Sequence, residues 1–368
     1  MLQLQSFQVL DWLPHSLDFN SIEHAWHDVQ FDYFGRKLAT CSSDKTIVIR
    51  EYIADNKINI NESYEEANIS SEHNRFFDLN KFQHTATLRG HTGPVWELSW
   101  CHPLHGIPLL ASCSEDGDVK IWAQKRNLLT FDFKNGESNE NTHFDWFCAW
   151  TIENGSAVTC VKWAPFYTEF SKPDELYLAF SLASGVAKLY KFLVNDKFND
   201  LSLSIINTSS IDCSTSSCNA VDWSPLGLHI AIASSNGVMI YYELGNSTVN
   251  LNPHYRMLDN YWIQDIAYSP CKISPPMIGA CGMDHDIGMV WILYFDSIND
   301  EWKCNDIKIP NKIIWRLSWS EMGHVLVVST TSLDDDEDEQ VFVLKRPVDL
   351  SDDWIVVNID DLYDEHVE

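Results

Sequence analysis

Bases are scarce in this 368-residue chain: 25 Lys and Arg stand against 53 Asp and Glu, a formal net charge of −28. So acidic a surface repels phosphate backbones and anionic headgroups. That argues against direct nucleic-acid binding and against an anionic membrane as the docking surface. Long apolar runs are missing too, since no stretch of about 18 apolar residues occurs, and no membrane-spanning helix is expected. Residues 1–17 hold Asp11 and no Lys or Arg, unlike a secretory leader. None of the ten cysteines forms a CxxC pair; the nearest approach is Cys213 and Cys218. They read as reduced, mostly buried thiols of a cytosolic or nuclear protein. The sequons at Asn61, Asn68, Asn154, Asn207 and Asn246 are then chance matches. HExxH, GxxxxGKS, GxGxxG and GxSxG are all absent. With them go the local signatures of zinc proteases, nucleotide binders and α/β-hydrolases. The 14 histidines are dispersed rather than grouped at ligand spacing. No metal, no cofactor and no enzymatic activity is expected.

What the chain does have is 45% hydrophobic and 12% aromatic residues, enough for a large core, and a repeat. Its clearest unit is TLRGHTGPVWELSWCHPLHGIPLLASCSEDGDVKIW, residues 87–122. Val95, Leu98 and Trp100 mark a first strand, residues 109–113 a second and 119–122 a third. Ser114–Glu115–Asp116–Gly117 reads as a tight turn between the last two. Weaker copies start at WHDVQFDYFGRKLATCSSDKTIVIREY (26–52), VTCVKWAP (158–165), NAVDWSP (219–225), WIQDIAYSP (262–270) and IIWRLSWS (313–320). Anchor aromatics Phe31, Trp100, Trp163, Trp223, Tyr268 and Trp319 end the first strands.

The pattern predicts an all-β, WD-repeat β-propeller of six four-stranded blades over residues 18–359. Residues 1–17 are an N-terminal extension and 360–368 an acidic tail. The anchors lie 69, 63, 60, 45 and 51 residues apart, more than the roughly 40–45 of a compact WD repeat, so the loops are decorated. The longest decoration is an Asn-, Glu- and Ser-rich insert at 54–81.

Every unit also owns a candidate fourth strand downstream of its third: HTATLR (84–89), WFCAWTI (146–152), LSLSII (201–206), HYRML (254–258), CNDIKI (304–309) and WIVVNI (354–359). The last blade is therefore expected to be complete without a strand from the N-terminus. Six such blades are compatible with a tight ring or with a gap.

His91, Ser112 and Asp116 have the residue types of a catalytic triad. Together with Trp122, their spacing fits instead the hydrogen-bond chain of a WD repeat, in which the His bridges to the Asp of the tight turn. Thr40 and Asp44 are the matching positions in unit one. The acidic run 334–339 lacks the Asn and Gly pattern of a calcium loop and reads as a solvated turn; the other reading is a docking site for a basic segment.

FDYFGRKLATCSSDKTIVI (31–49) and LRGHTGPVWELSWCHPLHGIPLLASCSEDGDVKIW (88–122) resemble the Sec-thirteen family, with support in order from VTCVKWAPF, WIQDIAYSP and IIWRLSWSEMGHVLVVS. This is the propeller shared by the outer COPII vesicle coat and the outer ring of the nuclear pore. The sister Seh-one family shares the unit-one motif but fits GHTGPVW less well. The resemblance implies a non-enzymatic scaffold with an open six-blade propeller. A helical-solenoid partner, a coat rod subunit or a pore nucleoporin, would insert a seventh blade beside blades one and six. It implies ER exit sites and the nuclear envelope as locations, with membrane contact only through the assembled coat or pore. It also places His24, Trp26 and Val29 of blade one, and Trp315, Val328, Val341 and Val343 of blade six, at the partner interface. A ubiquitin-ligase substrate receptor is a second class of adaptor, but Trp122 is followed by Ala123–Gln124–Lys125 rather than closing a WDxR motif.

Overall fold

The computed structural model describes residues 26–52, 81–105, 108–124, 146–166, 174–197, 200–213, 217–227, 229–242, 255–272, 275–285, 287–332, 340–347 and 353–359. Residues 1–17, His24, the insert apart from Lys81, the run 334–339 and the tail 360–368 lie outside them.

Six four-stranded antiparallel sheets make up the fold. Blade one contains β1 (Trp26–Phe31), β2 (Lys37–Ser42), β3 (Thr46–Tyr52) and β4 (Phe82–Arg89). Blade two contains β5 (Val95–Trp100), β6 (Leu109–Ser114), β7 (Asp118–Gln124) and β8 (Trp146–Glu153). Blade three contains β9 (Val158–Trp163), β10 (Glu175–Leu182), β11 (Val186–Lys197) and β12 (Asp200–Asp212). Blade four contains β13 (Cys218–Trp223), β14 (His229–Ser234), β15 (Gly237–Tyr242) and β16 (Tyr255–Met257). Blade five contains β17 (Trp262–Tyr268), β18 (Met277–Asp284), β19 (Ile287–Asp296) and β20 (Glu301–Pro310). Blade six contains β21 (Lys312–Trp319), β22 (Val325–Ser332), β23 (Gln340–Lys345) and β24 (Ile355–Asn358). Each of the six segments expected as fourth strands is one, and each blade is built from consecutive strands. The molecule is a six-bladed, all-β WD-repeat propeller.

Side chains alternate across each sheet, so a blade presents one apolar face to each neighbour. Ala39, Cys41, Ile47 and Ile49 of blade one meet Leu98, Leu110 and Trp122 of blade two. Met277 and Cys281 of blade five meet Leu317, Trp319, Leu326 and Val328 of blade six. Each fully buried aliphatic or aromatic side chain contributes roughly 1.5–3 kcal/mol. The tight turn of blade two is closed by Gly117 N–H donating to Ser114 O at 3.2 Å. Gly117 is required there: its φ is +89°, and a Cβ would lie 2.6 Å from the carbonyl oxygen of Asn154. All ten cysteines are free thiols.

Every first strand carries a bulge one residue before the third residue upstream of its anchor. The bulged residues are His27, Trp96, Thr159, Asn219, Gln264 and Trp315. A bulge re-aims the next side chain, and here it shapes the central channel.

Candidate functional site: the seam between blades six and one

Inner strands pack in series, β1 on β5, β5 on β9, β9 on β13, β13 on β17 and β17 on β21, with each second strand also contacting the next first strand. Neither β21 nor β22 packs on β1 in this way. A cavity of about 140 Å³ borders both blades: His27, Asp28, Val29 and Gln30 of blade one and Arg316, Leu317, Ser318 and Ser329 of blade six line it, together with Glu97, Lys162 and Asp222 of blades two to four and Asp265, Ile266 and Ala267 of blade five.

Hydrogen bonds mark the same difference. Leu98 N–H donates to Asp28 Oδ2 at 2.9 Å, Val161 N–H to Glu97 Oε2 at 3.3 Å, Val221 N–H to Cys160 Sγ at 3.3 Å and Leu317 N–H to Asp265 Oδ2 at 2.9 Å. Each bond runs from the residue two before the anchor to the side chain three before the anchor of the preceding blade. In blade four that position is Ala220, and the interface uses Tyr268 N–H to Asp222 Oδ2 at 2.7 Å instead. Anchor indoles add a second stitch: Trp100, Trp223 and Trp319 donate Nε1–H to the backbone oxygens of Gln30, Lys162 and Ala267 at 3.1, 3.1 and 2.9 Å. In blade six the acceptor position is Arg316, a donor only. Val29 N–H turns to its own Asp28 Oδ1 at 2.9 Å.

Arg316 reaches residues of blades two and five without a close ion pair. Its Nη2 is 3.4 Å from Trp96 O, and its Nη1 is 3.8 Å from Glu97 and 3.9 Å from Asp265. Lys162 pairs with Glu97 at 2.7 Å. Burial raises the pKa of Asp28 and Asp265 and pushes Asp222 up to about 6. Burial works on Glu97 too, but Lys162 and Arg316 outweigh it and hold Glu97 below the ordinary carboxylate range. A carboxylate in contact with a cation thus stays ionised within an otherwise acidic ring.

The sequence-expected interface residues divide as follows. Val341 pairs with Ser329, and Val343 with Val327, on the face of blade six opposite its blade-five core, so both look toward the seam; Val343 is buried and Val341 half-buried. Val29 faces the seam from blade one and is buried. Trp26 is half-buried in β1. Trp315 is the bulge residue of blade six, 45% exposed, with its Nε1–H donated to Thr331 Oγ1 at 2.9 Å. The bulge residue of blade one, His27, instead packs its ring 4.4 Å from the bulge residue of blade two, Trp96. Val328 is a correction: it is fully buried in the core between blades five and six, on the wrong face of β22 to meet a partner. His24 lies outside the described residues.

Blade two shows what a completed polar face looks like. His91 Nδ1 bonds Asp116 Oδ2 at 3.0 Å, its Nε2 bonds Ser112 Oγ at 2.8 Å, and Trp122 Nε1–H donates to Ser112 Oγ at 2.9 Å. Burial outweighs Asp116 and holds the imidazole below its ordinary pKa. The chain of donors then fits one neutral tautomer, Nδ1–H to Asp116 with Nε2 accepting from Ser112. The Asp116 carboxylate also takes Thr92 N–H and Asp118 N–H at 2.7 and 2.9 Å, and despite burial its pKa falls below the ordinary value. The donors and acceptors of this network bond one another within the fold.

Among the described residues, blade one shows only part of the matching network. Asp44 accepts from Thr46 N–H and Oγ1–H at 2.8 and 2.7 Å. Thr40, where blade two has Ser112, is buried and its Oγ1 has no hydrogen-bond partner; neither has Nε of Arg50, where blade two has Trp122. Strand alternation turns both toward the seam.

The ladder residues Asp28, Glu97, Cys160, Asp222, Asp265 and Arg316 were not foreseen from the sequence. Aligning the six repeats on their anchors exposes the signal, a charged residue three positions upstream in four of them.

Residues 82–123 match the family model "WD domain, G-beta repeat". Similar along most of its length is "Protein transport protein sec13" of Emericella nidulans, 28% identical over 320 residues covering 82% of this chain and 87% of that one. The protein of the same description from Yarrowia lipolytica is 26% identical over 330 residues, 84% of this chain and 90% of its own. "Protein transport protein SEC13-2" of Candida glabrata is 28% identical over 353 residues, 90% of this chain and 96% of its own. This chain thus carries a WD repeat and is similar to sec13 proteins over most of its length. A chain in the solved "Crystal Structure of Mitotic Checkpoint Complex" shares the fold, with a TM-score of 0.54 at 14% identity over 88% of this chain and 75% of that one.

Proposed function

We propose that this Sec-thirteen-family propeller is a non-enzymatic protein-transport subunit. It serves the outer COPII coat and the nuclear-pore outer ring as a scaffold, and binds a helical-solenoid partner by accepting that partner's β blade in the seam. The relatives' descriptions support the protein-transport role. The observation that carries the binding mode is the break in the inter-blade ladder: five interfaces are stitched, while between blade six and blade one the described residues make no such bond and Arg316 stands in the acceptor's place. Thr40, buried with an unpartnered Oγ1, and half-buried Arg50, with an unpartnered Nε, fit on the same side a face that is completed in a complex. An inserted blade would bury more than about 2,000 Å² in total, the size of an obligate interface, and would stabilise the chain by mass action.

The test is co-purification of the tagged chain from its source cells, comparing Val341→Asp with wild type and with a deletion of 54–81. Loss of the solenoid partner from Val341→Asp alone is expected. Equal recovery from all three would contradict insertion at the seam.

A further inference from the structure

The ladder specifies what should enter the seam. This inference rests on the proposed blade insertion and deepens it. Where a blade lacks an acceptor three residues before its anchor, the next blade's amide two before its own anchor turns to the carboxylate beside it. Ile266 N–H donates to Asp265 Oδ1 at 2.9 Å after Ala220, and Val29 N–H donates to Asp28 Oδ1 at 2.9 Å after Arg316. A strand following blade six faces the same lack, because a guanidinium accepts nothing. Its own amide therefore needs a carboxylate one residue upstream. The two strands of this chain in that situation read Asp28–Val29–Gln30–Phe31 and Asp265–Ile266–Ala267–Tyr268.

Arg316 points to the same residue. Its contacts at 3.4, 3.8 and 3.9 Å are long for a charged hydrogen bond, and a carboxylate is the group whose geometry a guanidinium fits in two short bonds. Asp265 already shows the arrangement on a small scale: Oδ1 takes its own blade's amide, Oδ2 takes Leu317 N–H at 2.9 Å, and Arg316 lies beside it. The channel holds four acids, Asp28, Glu97, Asp222 and Asp265, against Lys162 and Arg316, so a fifth carboxylate meets repulsion. Glu97 shows that contact with a cation prevails over that ring.

We propose that the partner segment inserted between blades six and one carries an acidic residue three positions before an aromatic, with a β-branched residue next to the acid, and that Arg316 is the acid's ion-pair partner while Val29 N–H shares its second oxygen.

The test replaces Val341 with a photo-crosslinking benzoylphenylalanine in the full chain, irradiates the complex purified from source cells, and sequences the captured peptide. A second arm measures partner affinity for Arg316→Asp and Arg316→Lys, with thermal melting as the folding control. A captured segment of the form Asp or Glu, β-branched, any residue, aromatic is expected. Arg316→Asp should then lose at least about tenfold in affinity, and an Arg placed at the partner's acid should restore binding to Arg316→Asp. A captured strand with a neutral or basic residue at that position overturns the proposal while leaving blade insertion intact, whether or not Arg316→Asp folds. So does a folded Arg316→Asp that binds as wild type. Crosslinks that reach no β segment of the partner overturn the insertion itself.

Discussion

Blades one and two share a strand plan, a tight turn and a bulge, and they differ in what their preceding neighbour provides. Blade two faces blade one, and its His91–Asp116–Ser112–Trp122 network is complete. Blade one faces the seam, and Thr40 and Arg50 at the corresponding places hold polar atoms with no partner. A repeat fold can thus use one module both as a closed internal interface and as an unfinished one. Polar satisfaction, more than apolar exposure, separates the two: Val29, Leu38 and Thr40 at the seam are as buried as core residues. Among the described seam residues, apolar exposure is found at Trp315, which is 45% exposed, and at the half-buried Trp26 and Val341.

Substitutions in the two blades test this contrast. Trp122→Ala removes a side chain from the blade-one interface and strips Ser112 of a donor; a loss of about 3–5 kcal/mol is expected, read by urea unfolding. Asp116→Ala should cost about 1–3 kcal/mol, because it leaves His91 and Thr92 N–H without their acceptor. Unchanged stability in that variant would remove the network from the argument.

The pH dependence separates the turn from the channel. The pKa of Asp116 is lowered in the fold, so its contribution is present above the unfolded pKa of 3.8 and lost as pH falls through the folded value. Asp222 is the reverse: with its pKa raised from 3.8 to about 6, the folded state binds the extra proton, and stability declines as pH rises from about 4 to about 6. Asp222→Asn should lessen the decline across that window, with Asp28 and Asp265 contributing what remains, while Asp116→Asn should alter the more acidic limb. A wild-type slope persisting in Asp222→Asn would move the titration to another group.

Thr40→Val should have the smallest effect, near neutral or slightly stabilising in the isolated chain, since it removes a hydroxyl that bonds nothing. A loss matching that of Asp116→Ala would show that blade one is finished after all.

Much of this fold is legible in the sequence because the propeller repeats. Anchors such as Trp100 and Trp319 fix the first strands, and the short, wholly buried run of residues 109–113 marks a second. Segments as plain as residues 354–359 can be assigned as fourth strands by counting. The site is harder to read. Whether Val328 or Val327 faces the seam depends on the register between β22 and β23, in which Val343 pairs with Val327 and Val328 with Phe342, and a one-residue slip exchanges faces. The ladder is hidden for a related reason. Asp28, Glu97 and Asp265 look like charges misplaced in buried strands until the bulge turns them into the channel, where the next blade's amide meets them. Arg316 acquires meaning only when the other five positions are aligned with it.

Amide hydrogen exchange on the full chain, alone and in the complex purified from source cells, tests the seam most directly. Slowing of the Val29 amide by at least about tenfold on complex formation is expected, along with slower exchange in β21 and β22, while Leu98 N–H, already held by Asp28, stays unchanged. Protection confined to loops away from the seam, with Val29 exchanging as in the free chain, would contradict blade insertion.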